Sequence, residues 1–350
     1  AEYKNPVVTS VISAGEKQDS NCLSLHRFVE DKMLCIQNQN GIRIVSQSGE
    51  DLGPFAADIK EPTALHSDTV TVAILEGNKL HVYSVAGDNI FSIGRYGIGA
   101  GGFQKPEHVF VAHNQYYVAD NGNNRVQVFA RDGQFIEEIK PIMGEEELFR
   151  KVGPIAVDSN KNLYIADRES SGLVRVLSPA RKLISNLGIE GDSVEKAERI
   201  HALDLDQQDR LYVLFSSDIN DYSVQIYQDF LPFRIFGAGA ANGTDYYFDR
   251  VSSMAVSSTT KNSIHINDTG LKKHFRFDLH EFPDPAFGLA IGANSREIKL
   301  QWSSSKSPLI AKYEIQAAKA KEGPFATIAT TGQLSETLEV GKAGEYRWFR

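Results

Sequence analysis

The chain has 350 residues, of which 41% are hydrophobic and 23% are charged, and its formal net charge is −8 at pH 7. No apolar run approaches the roughly 20 residues that a membrane-spanning helix needs, so the sequence predicts no membrane span. The acidic balance argues against nucleic acid as the main partner, because binding phosphate groups requires a basic field.

The N-terminal segment contains one apolar strand, from Pro6 to Ile12, without a partner nearby in the sequence. It resembles the strands that end later units, such as FSIGRYGIG. An unpaired strand exposes its backbone N–H and C=O groups. We therefore expect this strand to pair with a distant part of the chain.

The two cysteines, Cys22 and Cys35, lie on the two strands of the first predicted hairpin. A turn at residues 30–31 would place Cys35 nearer His26 than Cys22. The pair could be a disulfide in an oxidising compartment, or two buried thiols. No spacing of Cys and His residues predicts a metal site.

The stretch from Gly101 to Ile139 contains four short alternating strands separated by the turns HNQ, NGNN and RDG. Alternation with period two, bounded by Gly, Asn and Asp, is typical of a small antiparallel meander. One such sheet cannot bury its apolar faces alone, so we expect copies of it to stack beside it.

The third strand of this unit recurs along the chain. Its copies begin at Ile42, Leu80, Val126, Val174, Val224 and Phe275. A four-stranded unit that repeats about every 40 to 50 residues predicts propeller blades rather than a solenoid. The sixth unit, residues 251–279, has only three strands. We therefore predict an all-β fold, a six-bladed β-propeller closed by the N-terminal strand.

The segment YVADNGNNRVQVF, preceded by GFQKPEHVFV, resembles an NHL repeat, and LYIADRESSGLVRVL resembles a second copy. The resemblance covers about residues 1–282 and implies a six-bladed propeller. The other units are degenerate. Unit five, LYVLFSSDINDYSVQIY, lacks both the Asp after the second strand and the Arg that follows in the NHL pattern.

Residues 283–350 predict a second domain with a different strand pattern. Trp302 at a strand end, and Tyr346 eight positions after Leu338, resemble a fibronectin type III domain. The resemblance implies that Trp302 is the central core aromatic and Tyr346 the corner tyrosine. The chain stops where a sixth strand should run. We therefore expect a partial β-sandwich and a natural protein that continues beyond Arg350.

In a propeller, the loops between blades and the loops between second and third strands share one face, here called the loop face. Ligands usually gather there. The charged insert at residues 144–151 is predicted to form one helical turn on the rim of this face. By loop position, the candidate binding residues are Arg95, His108, Asn121, Arg168, His201, Asp218 and Asp221.

Some NHL-like propellers are amidating lyases that hold zinc with three histidines, so a metal-dependent enzyme is one alternative. His108 and His201 lie near the starts of first strands, but one register step apart. Alternation should then send them to opposite faces. His26 and His66 lie further along their blades. First strands carry Val, Ala, Leu and Ser instead of the calcium ligands of lactonase-type propellers. We therefore predict no metal, no cofactor and no catalysis.

RNA binding, as in NHL proteins of developmental regulators, is the other alternative and needs a basic, aromatic face. We expect Arg125 and Arg175 to pair with acidic neighbours on their blades instead. The favoured hypothesis is a non-catalytic scaffold that binds a protein partner through the loop face. The domain pairing and the processed-looking N-terminus at Ala1 predict a secreted, periplasmic or cell-surface bacterial protein.

Overall fold

The structure is a computed structural model. The residues that the structure describes are 7–13, 22–30, 32–37, 41–46, 49–170, 172–188, 199–216, 222–236, 239–241, 244–257, 263–278, 287–293, 297–303, 313–318, 326–331, 335–339 and 348–349. The chain divides into two compact units. One is Pro6–Leu279, and the other joins Ala1–Asn5 to His280–Arg350.

Five antiparallel sheets of four strands, in which neighbours in sequence are neighbours in the sheet, follow one another along the first unit. We call them blades one to five. Blade one contains β2 (Cys22–Arg27), β3 (Met33–Gln37), β4 (Gly41–Val45) and β5 (Asp51–Phe55), and blade two contains β6 (Pro62–Ser67), β7 (Thr71–Glu76), β8 (Lys79–Ser84) and β9 (Asn89–Ile93). Blade three contains β12 (Pro106–Ala112), β13 (Gln115–Asp120), β14 (Arg125–Ala130) and β15 (Phe135–Ile139). Blade four contains β18 (Val152–Val157), β19 (Leu163–Asp167), β20 (Leu173–Leu177) and β21 (Leu183–Gly188), and blade five contains β22 (Arg199–Leu205), β23 (Leu211–Ser216), β24 (Tyr222–Gln228) and β25 (Leu231–Phe236).

The sixth sheet, blade six, takes its strands from two distant parts of the chain. It contains β28 (Val251–Ser257), β29 (Ser263–Asp268) and β30 (Lys273–Asp278), with β1 (Val7–Ser13) beside β30. In that pairing Val7 lies opposite Asp278 and Ser13 lies opposite Lys273. The prediction of an all-β propeller with six blades is confirmed.

Three of the loops between blades carry a two-stranded ladder of their own. These are β10 (Arg95–Tyr96) with β11 (Gly102–Phe103), β16 (Ile142–Met143) with β17 (Glu146–Glu147), and β26 (Gly239–Ala241) with β27 (Thr244–Tyr246). The helical turn predicted for residues 144–151 is wrong. Met143 pairs with Glu146 around Gly144, whose φ of 67° suits a tight hairpin turn.

Aspartates close several of the turns between first and second strands. The Asp158 carboxylate accepts the backbone N–H of Asn162 at 2.8 Å, and that of Asp206 accepts the N–H of Arg210 at 3.0 Å. Such side chain–backbone bonds satisfy turn donors that no strand partner reaches. They fix the ends of the first strands on the face opposite the loop face.

The hydrophobic core lies between neighbouring blades. One cluster joins blades two and three through Leu75, Val82, Tyr116 and Phe129, all of which are buried. Because both faces of a middle strand are covered, these strands are continuous apolar runs, such as VAIL in β7 and YYVA in β13.

The first strand of every blade changes register near its start. The shifts fall between Cys22 and Ser24, Pro62 and Ala64, Pro106 and His108, Val152 and Ile155, Ile200 and Ala202, and Val251 and Ser253. Each shift is a β-bulge or similar irregularity, and a bulge re-aims the side chains around it. The innermost strands therefore do not alternate regularly at the mouth of the channel.

In blade one the strand register places Leu25, not His26, opposite Cys35, and places Cys22 opposite Gln37. The structure joins Cys22 and Cys35 in a disulfide, with their Cα atoms 5.6 Å apart. That separation is ordinary for a disulfide. The bulge after Cys22 brings the two cysteines within reach although they are not direct strand partners.

The second unit contains two three-stranded sheets. Their strands are β31 (Phe287–Ala293), β32 (Glu297–Ser303), β33 (Tyr313–Ala318), β34 (Ala326–Thr331), β35 (Ser335–Glu339) and β36 (Trp348–Phe349). One sheet has the order β31, β32, β35, and the other has the order β34, β33, β36. Trp302 lies in β32, and Tyr346 lies outside the described residues.

Candidate functional site

In four blades, a carboxylate at the end of the second strand accepts backbone N–H groups from the loop that enters the blade. The distances are 2.8 Å for Lys60 and Glu61 to Glu76, 2.7 Å for Gln104 to Asp120, 3.0 Å for Arg150 and Lys151 to Asp167, and 2.7 and 3.0 Å for Asp249 and Arg250 to Asp268. We call each of these interactions a carboxylate latch. The latches hold the entering loops against the mouth of the channel.

The arginines of the NHL pattern form ion pairs with two of the latch carboxylates. Arg125 Nε lies 3.0 Å from Asp120 Oδ2, and its Nη1 lies 2.7 Å from Glu138. Arg175 Nε lies 3.3 Å from Asp167 Oδ2. The prediction that Arg125 and Arg175 pair with acidic neighbours is confirmed. Both guanidinium groups are therefore engaged within their own blades.

Blade five has no carboxylate at this position. In the strand register Ser216 lies opposite Arg199 on one side and Tyr222 on the other. Asp167 has the same position in blade four, where it lies opposite Val152 and Leu173. Its hydroxyl lies 2.9 Å from Nε2 of His201. The repeated negative charge is therefore missing at the entrances to blades one and five, since Gln37 occupies the matching position in blade one. In blade five the residue opposite this position is an arginine, Arg199.

The first strands of all six blades line an axial cavity of about 150 Å³. Four histidines line it: His26, His66, His108 and His201. The expectation that His108 and His201 face opposite ways is therefore wrong. The bulges at Glu107 and His201 interrupt the alternation on which that expectation depended.

These histidines are neutral at pH 7. Burial lowers the pKa of His26, His108 and His201 to about 4, and it lowers the pKa of His66 well below its ordinary value. The nearby Arg168 guanidinium contributes to the shifts of His108 and His201. His66 Nδ1 accepts the N–H of Val111 at 3.1 Å.

Asp204 also lines the cavity, and burial raises its pKa. Its carboxylate accepts the N–H of Val256 at 2.7 Å and that of Leu205 at 2.8 Å, so it joins blade five to blade six. Across the described ranges, no group of three or more His, Cys, Asp or Glu side chains is arranged to hold a metal ion. Within those same ranges, no helix is long and apolar enough to cross a membrane.

A second cavity, of about 360 Å³, opens beside the mouth of the channel between blades four and five. We call it the Arg168–Arg199 cavity. Its lining residues are Ala166, Asp167, Arg168, Gly172, Arg199 and Ile200. Arg168 Nη1 lies 2.6 Å from Glu107, and its Nη2 lies 3.4 Å from His108 Nε2. Arg168 thus connects this cavity with the axial one.

The structure brings three of the predicted site residues together: His108, Arg168 and His201. Arg95 is exposed in β10, in the loop between blades two and three. Asn121 is buried, and its side chain donates to the Val152 carbonyl at 3.0 Å, which indicates a structural role. Asp218 and Asp221 lie outside the described residues.

Sequence reasoning missed His26, His66, Arg199 and Ser216 as parts of this region. The sequence did contain a signal for Ser216, because unit five lacks the Asp that follows the second strand in the NHL pattern. No local signal marks His26 and His66, which reach the cavity from the far ends of β2 and β6.

Large exposed apolar side chains form a second feature of the loop face. Five of the twelve that are exposed among the described residues lie on loops between blades: Tyr96, Ile98, Ile142, Met143 and Tyr247. We call these five the apolar crown. Ile98 is 75% exposed and Tyr96 73%. Val70 is the one such residue in a described turn between first and second strands.

Comparisons with known proteins agree with this architecture. The NHL repeat family matches residues 103–129, which span the first three strands of blade three. A search of curated protein sequences finds no significant match.

Among solved structures, a protein of unknown function from Bacteroides thetaiotaomicron has a TM-score of 0.54 at 14% identity, covering 78% of this chain and 73% of its own. The WD40 β-propeller domain of Doa1 has a TM-score of 0.49 at 9% identity, covering 80% of this chain and 98% of its own. A protein of unknown function from Bacteroides caccae has a TM-score of 0.44 at 14% identity, covering 61% and 81%. At 14% identity, the likeness to the Bacteroides thetaiotaomicron protein concerns the fold alone. Residues 103–129 are similar to an NHL repeat, and they lie in a six-bladed β-propeller.

Proposed function

We propose that this chain is a non-catalytic interaction module that binds a protein partner on the loop face of its propeller. The apolar crown is the observation that carries the proposal. Five large apolar side chains stand exposed on loops that share one face, whereas one described turn on the opposite face carries such a residue. Clustered exposed apolar surface marks binding sites, while scattered single residues do not.

The charge distribution supports a protein partner over RNA. The chain carries a formal net charge of −8, and Arg125 and Arg175 are held in ion pairs inside their blades. Binding RNA requires cations that are available to phosphates and aromatic side chains on which bases stack. A mixed apolar and charged face fits a protein surface better.

The metal-dependent enzyme remains a second candidate because of one observation, the four histidines that line the axial cavity. Zinc titration followed by elemental analysis tests it. Stoichiometric zinc that is lost in the His108→Ala and His201→Ala variants would establish a metal site and overturn the non-catalytic assignment. We expect no zinc to be retained, because no three His, Cys, Asp or Glu side chains in the described part of the chain are arranged to hold one ion.

Other parts of the structure support three further parts of the proposal, which are the closure of the propeller, the nature of the second domain and the location of the protein. The pairing of β1 with β30 supports closure of the propeller by its N-terminal strand. The six strands after residue 286 support a partial, fibronectin type III-like sandwich over residues 283–350. The Cys22–Cys35 disulfide supports an oxidising compartment, and with it a secreted or cell-envelope location in a bacterium.

Site-specific photo-crosslinking in the producing cells tests the docking face. A photoreactive amino acid replaces Ile142 in the apolar crown or, as the matched control, the exposed Val70 on the opposite face. We expect a discrete protein adduct from position 142 and not from position 70. Adding Tyr96→Ser and Ile98→Ser should weaken that adduct at least tenfold, because each buried apolar side chain contributes about 1.5–3 kcal/mol.

Two outcomes would contradict the proposal. Equal crosslinking from positions 142 and 70 would show that the loop face is not selective. An adduct that withstands Tyr96→Ser with Ile98→Ser would show that the apolar crown is not the contact surface. Both substituted side chains are exposed, so the thermal midpoint should stay unchanged and exclude unfolding as the cause.

A further inference from the structure

We propose that the Arg168–Arg199 cavity is a binding site for the carboxylate group of a ligand, with Arg168 and Arg199 as its anchors. The inference goes beyond the docking of a partner on the apolar crown and does not depend on it. Three features of the described residues support this site: blade five has no latch carboxylate, the cavity has a surplus positive charge, and the acidic residues nearby are already hydrogen-bonded or ion-paired.

Two arginines from neighbouring blades meet at one cavity. Arg168 and Arg199 line the same cavity of about 360 Å³. Arg168 comes from the loop after the second strand of blade four, and Arg199 begins the first strand of blade five. After burial, the positive charges of Arg199 and Arg168 are the causes that lower the pKa of His201, so both cations lie close to this ring.

The charges of the described residues around this cavity do not cancel. Arg168 is paired with Glu107 at 2.6 Å, and Asp167 is paired with Arg175 at 3.3 Å. Arg199 is exposed and forms no ion pair with a carboxylate among the described residues. His201 is neutral at pH 7. Among the described residues, one positive charge is therefore left over at this site.

Ser216 explains why the imbalance occurs here. In blades two, three, four and six the equivalent position is acidic, and a carboxylate there would face Arg199 across the strand pair. Blade five carries a hydroxyl instead, and that hydroxyl is already bonded to His201 at 2.9 Å. An external carboxylate would supply the charge that the fold supplies in blades two, three, four and six.

Asp167, the carboxylate that lines the same cavity, does not take this role. Asp167 accepts the N–H groups of Arg150 and Lys151 at 3.0 Å and the hydroxyl of Ser170 at 3.0 Å. Asp167 is buried, and its oxygens already accept hydrogen bonds from the loops on either side of blade four's first two strands. Glu107 is likewise held by Arg168 and by Lys105 at 3.3 Å.

A carboxylate fits better than a phosphate. One surplus positive charge balances a monoanion, and the Asp167 carboxylate that lines the cavity would repel a dianion more strongly. A guanidinium also presents a planar pair of N–H donors that matches the two oxygens of a carboxylate. The carboxylate could belong to a small organic acid or to an acidic side chain of a protein partner.

Nitrogen-15 NMR of the arginine Nε–H groups tests the site in the full chain. The signals of the two anchors are assigned from their loss in Arg168→Gln and Arg199→Gln. The probes, added at constant ionic strength, are acetate, the blocked peptide acetyl-Gly-Glu-Gly-amide, its Gln counterpart, and inorganic phosphate. Arg250→Gln is the matched control, because Arg250 is an exposed arginine at the entrance to blade six.

We expect both assigned signals to shift saturably with acetate or with the Glu peptide, and not with the Gln peptide. Arg199→Gln should weaken this binding roughly tenfold or more, because a hydrogen bond to a charged group is lost, and Arg250→Gln should leave it unchanged. Tighter binding of acetate would indicate a small acid, and tighter binding of the Glu peptide an acidic protein segment.

Three outcomes would overturn the inference: no saturable shift with either carboxylate probe, an equal loss in Arg250→Gln, or tighter binding of phosphate than of both carboxylates. None of these measurements involves the apolar crown. The docking proposal can therefore fail while the carboxylate site stands, and the reverse also holds.

Discussion

Blades three and five place different residues at the same point of the same fold. In blade three, Asp120 is fully buried, accepts the Gln104 N–H at 2.7 Å, and pairs with Arg125 at 3.0 Å. In blade five, Ser216 makes one side-chain hydrogen bond, to His201. The comparison shows that the repeat residues hold loops in place, and that blade five, which departs from the repeat, has a hydroxyl instead of a carboxylate opposite Arg199.

The largest expected effect comes from breaking the latch of blade three. Asp120→Ala would leave the Arg125 guanidinium, 5% exposed, without its buried carboxylate partner. Removing one partner of a buried ion pair costs about 3–5 kcal/mol of the free energy of unfolding. Urea unfolding followed by circular dichroism measures this loss.

A surface ion pair provides the control for that substitution. Arg43 and Asp51 lie 2.9 Å apart with side chains 27% and 37% exposed, so Asp51→Ala should cost less than about 1 kcal/mol. Equal costs for Asp120→Ala and Asp51→Ala would show that the buried latch does not stabilise the blade.

The buried histidines predict a loss of stability in acid. His26 and His108 have a pKa of about 4 in the folded protein, against about 6.5 in an unfolded chain. Between these values the unfolded state binds more protons, so stability is full above pH 6.5 and falls as the pH drops below it. The loss approaches about 1.4 kcal/mol per pH unit for each histidine.

Urea midpoints at pH 8.0, 7.0 and 5.5 measure this dependence. We expect little change between pH 8.0 and 7.0 and a clear decrease at pH 5.5. His108→Gln should reduce the decrease, because one fewer group takes up a proton on unfolding. A midpoint that stays constant down to pH 5.5 would contradict the burial of these rings.

The smallest and most local effect is expected from introducing a carboxylate at position 216 of blade five. In Ser216→Asp, the new carboxylate would lie beside His201, which now has a pKa of about 4. An opposite charge within hydrogen-bond distance should raise that pKa to between about 5 and 7. It should also abolish the binding of carboxylate probes by pairing with Arg199.

A pH titration of the histidine ring protons by NMR measures this change. Ser170→Asp serves as the matched control, since it adds the same charge to the loop that follows Asp167. If Ser216→Asp left the pKa of His201 unaltered, the equivalence of Ser216 with the latch carboxylates would be wrong.

The pairing partners of the NHL arginines were predictable from the sequence, whereas the convergence of the histidines was not. Arg125 lies five residues from Asp120, and Arg175 eight residues from Asp167, so a hairpin alone brings each pair together. His108 and His201 belong to different blades, and their directions depend on bulges at Glu107 and His201. Strict alternation, the rule available from sequence, gave the wrong answer there.

The sequence by itself determined the number of blades, the strands within them and the turns between those strands. Period-two patterns and turn residues act over a few neighbouring positions, and six copies of one unit reinforce the reading. Only the tertiary structure decided which side chains meet at the axis, because Arg168, Arg199, His108 and His201 come from three blades and become neighbours only when those blades pack. Long-range packing and the local bulges, rather than any motif, thus produced the candidate site.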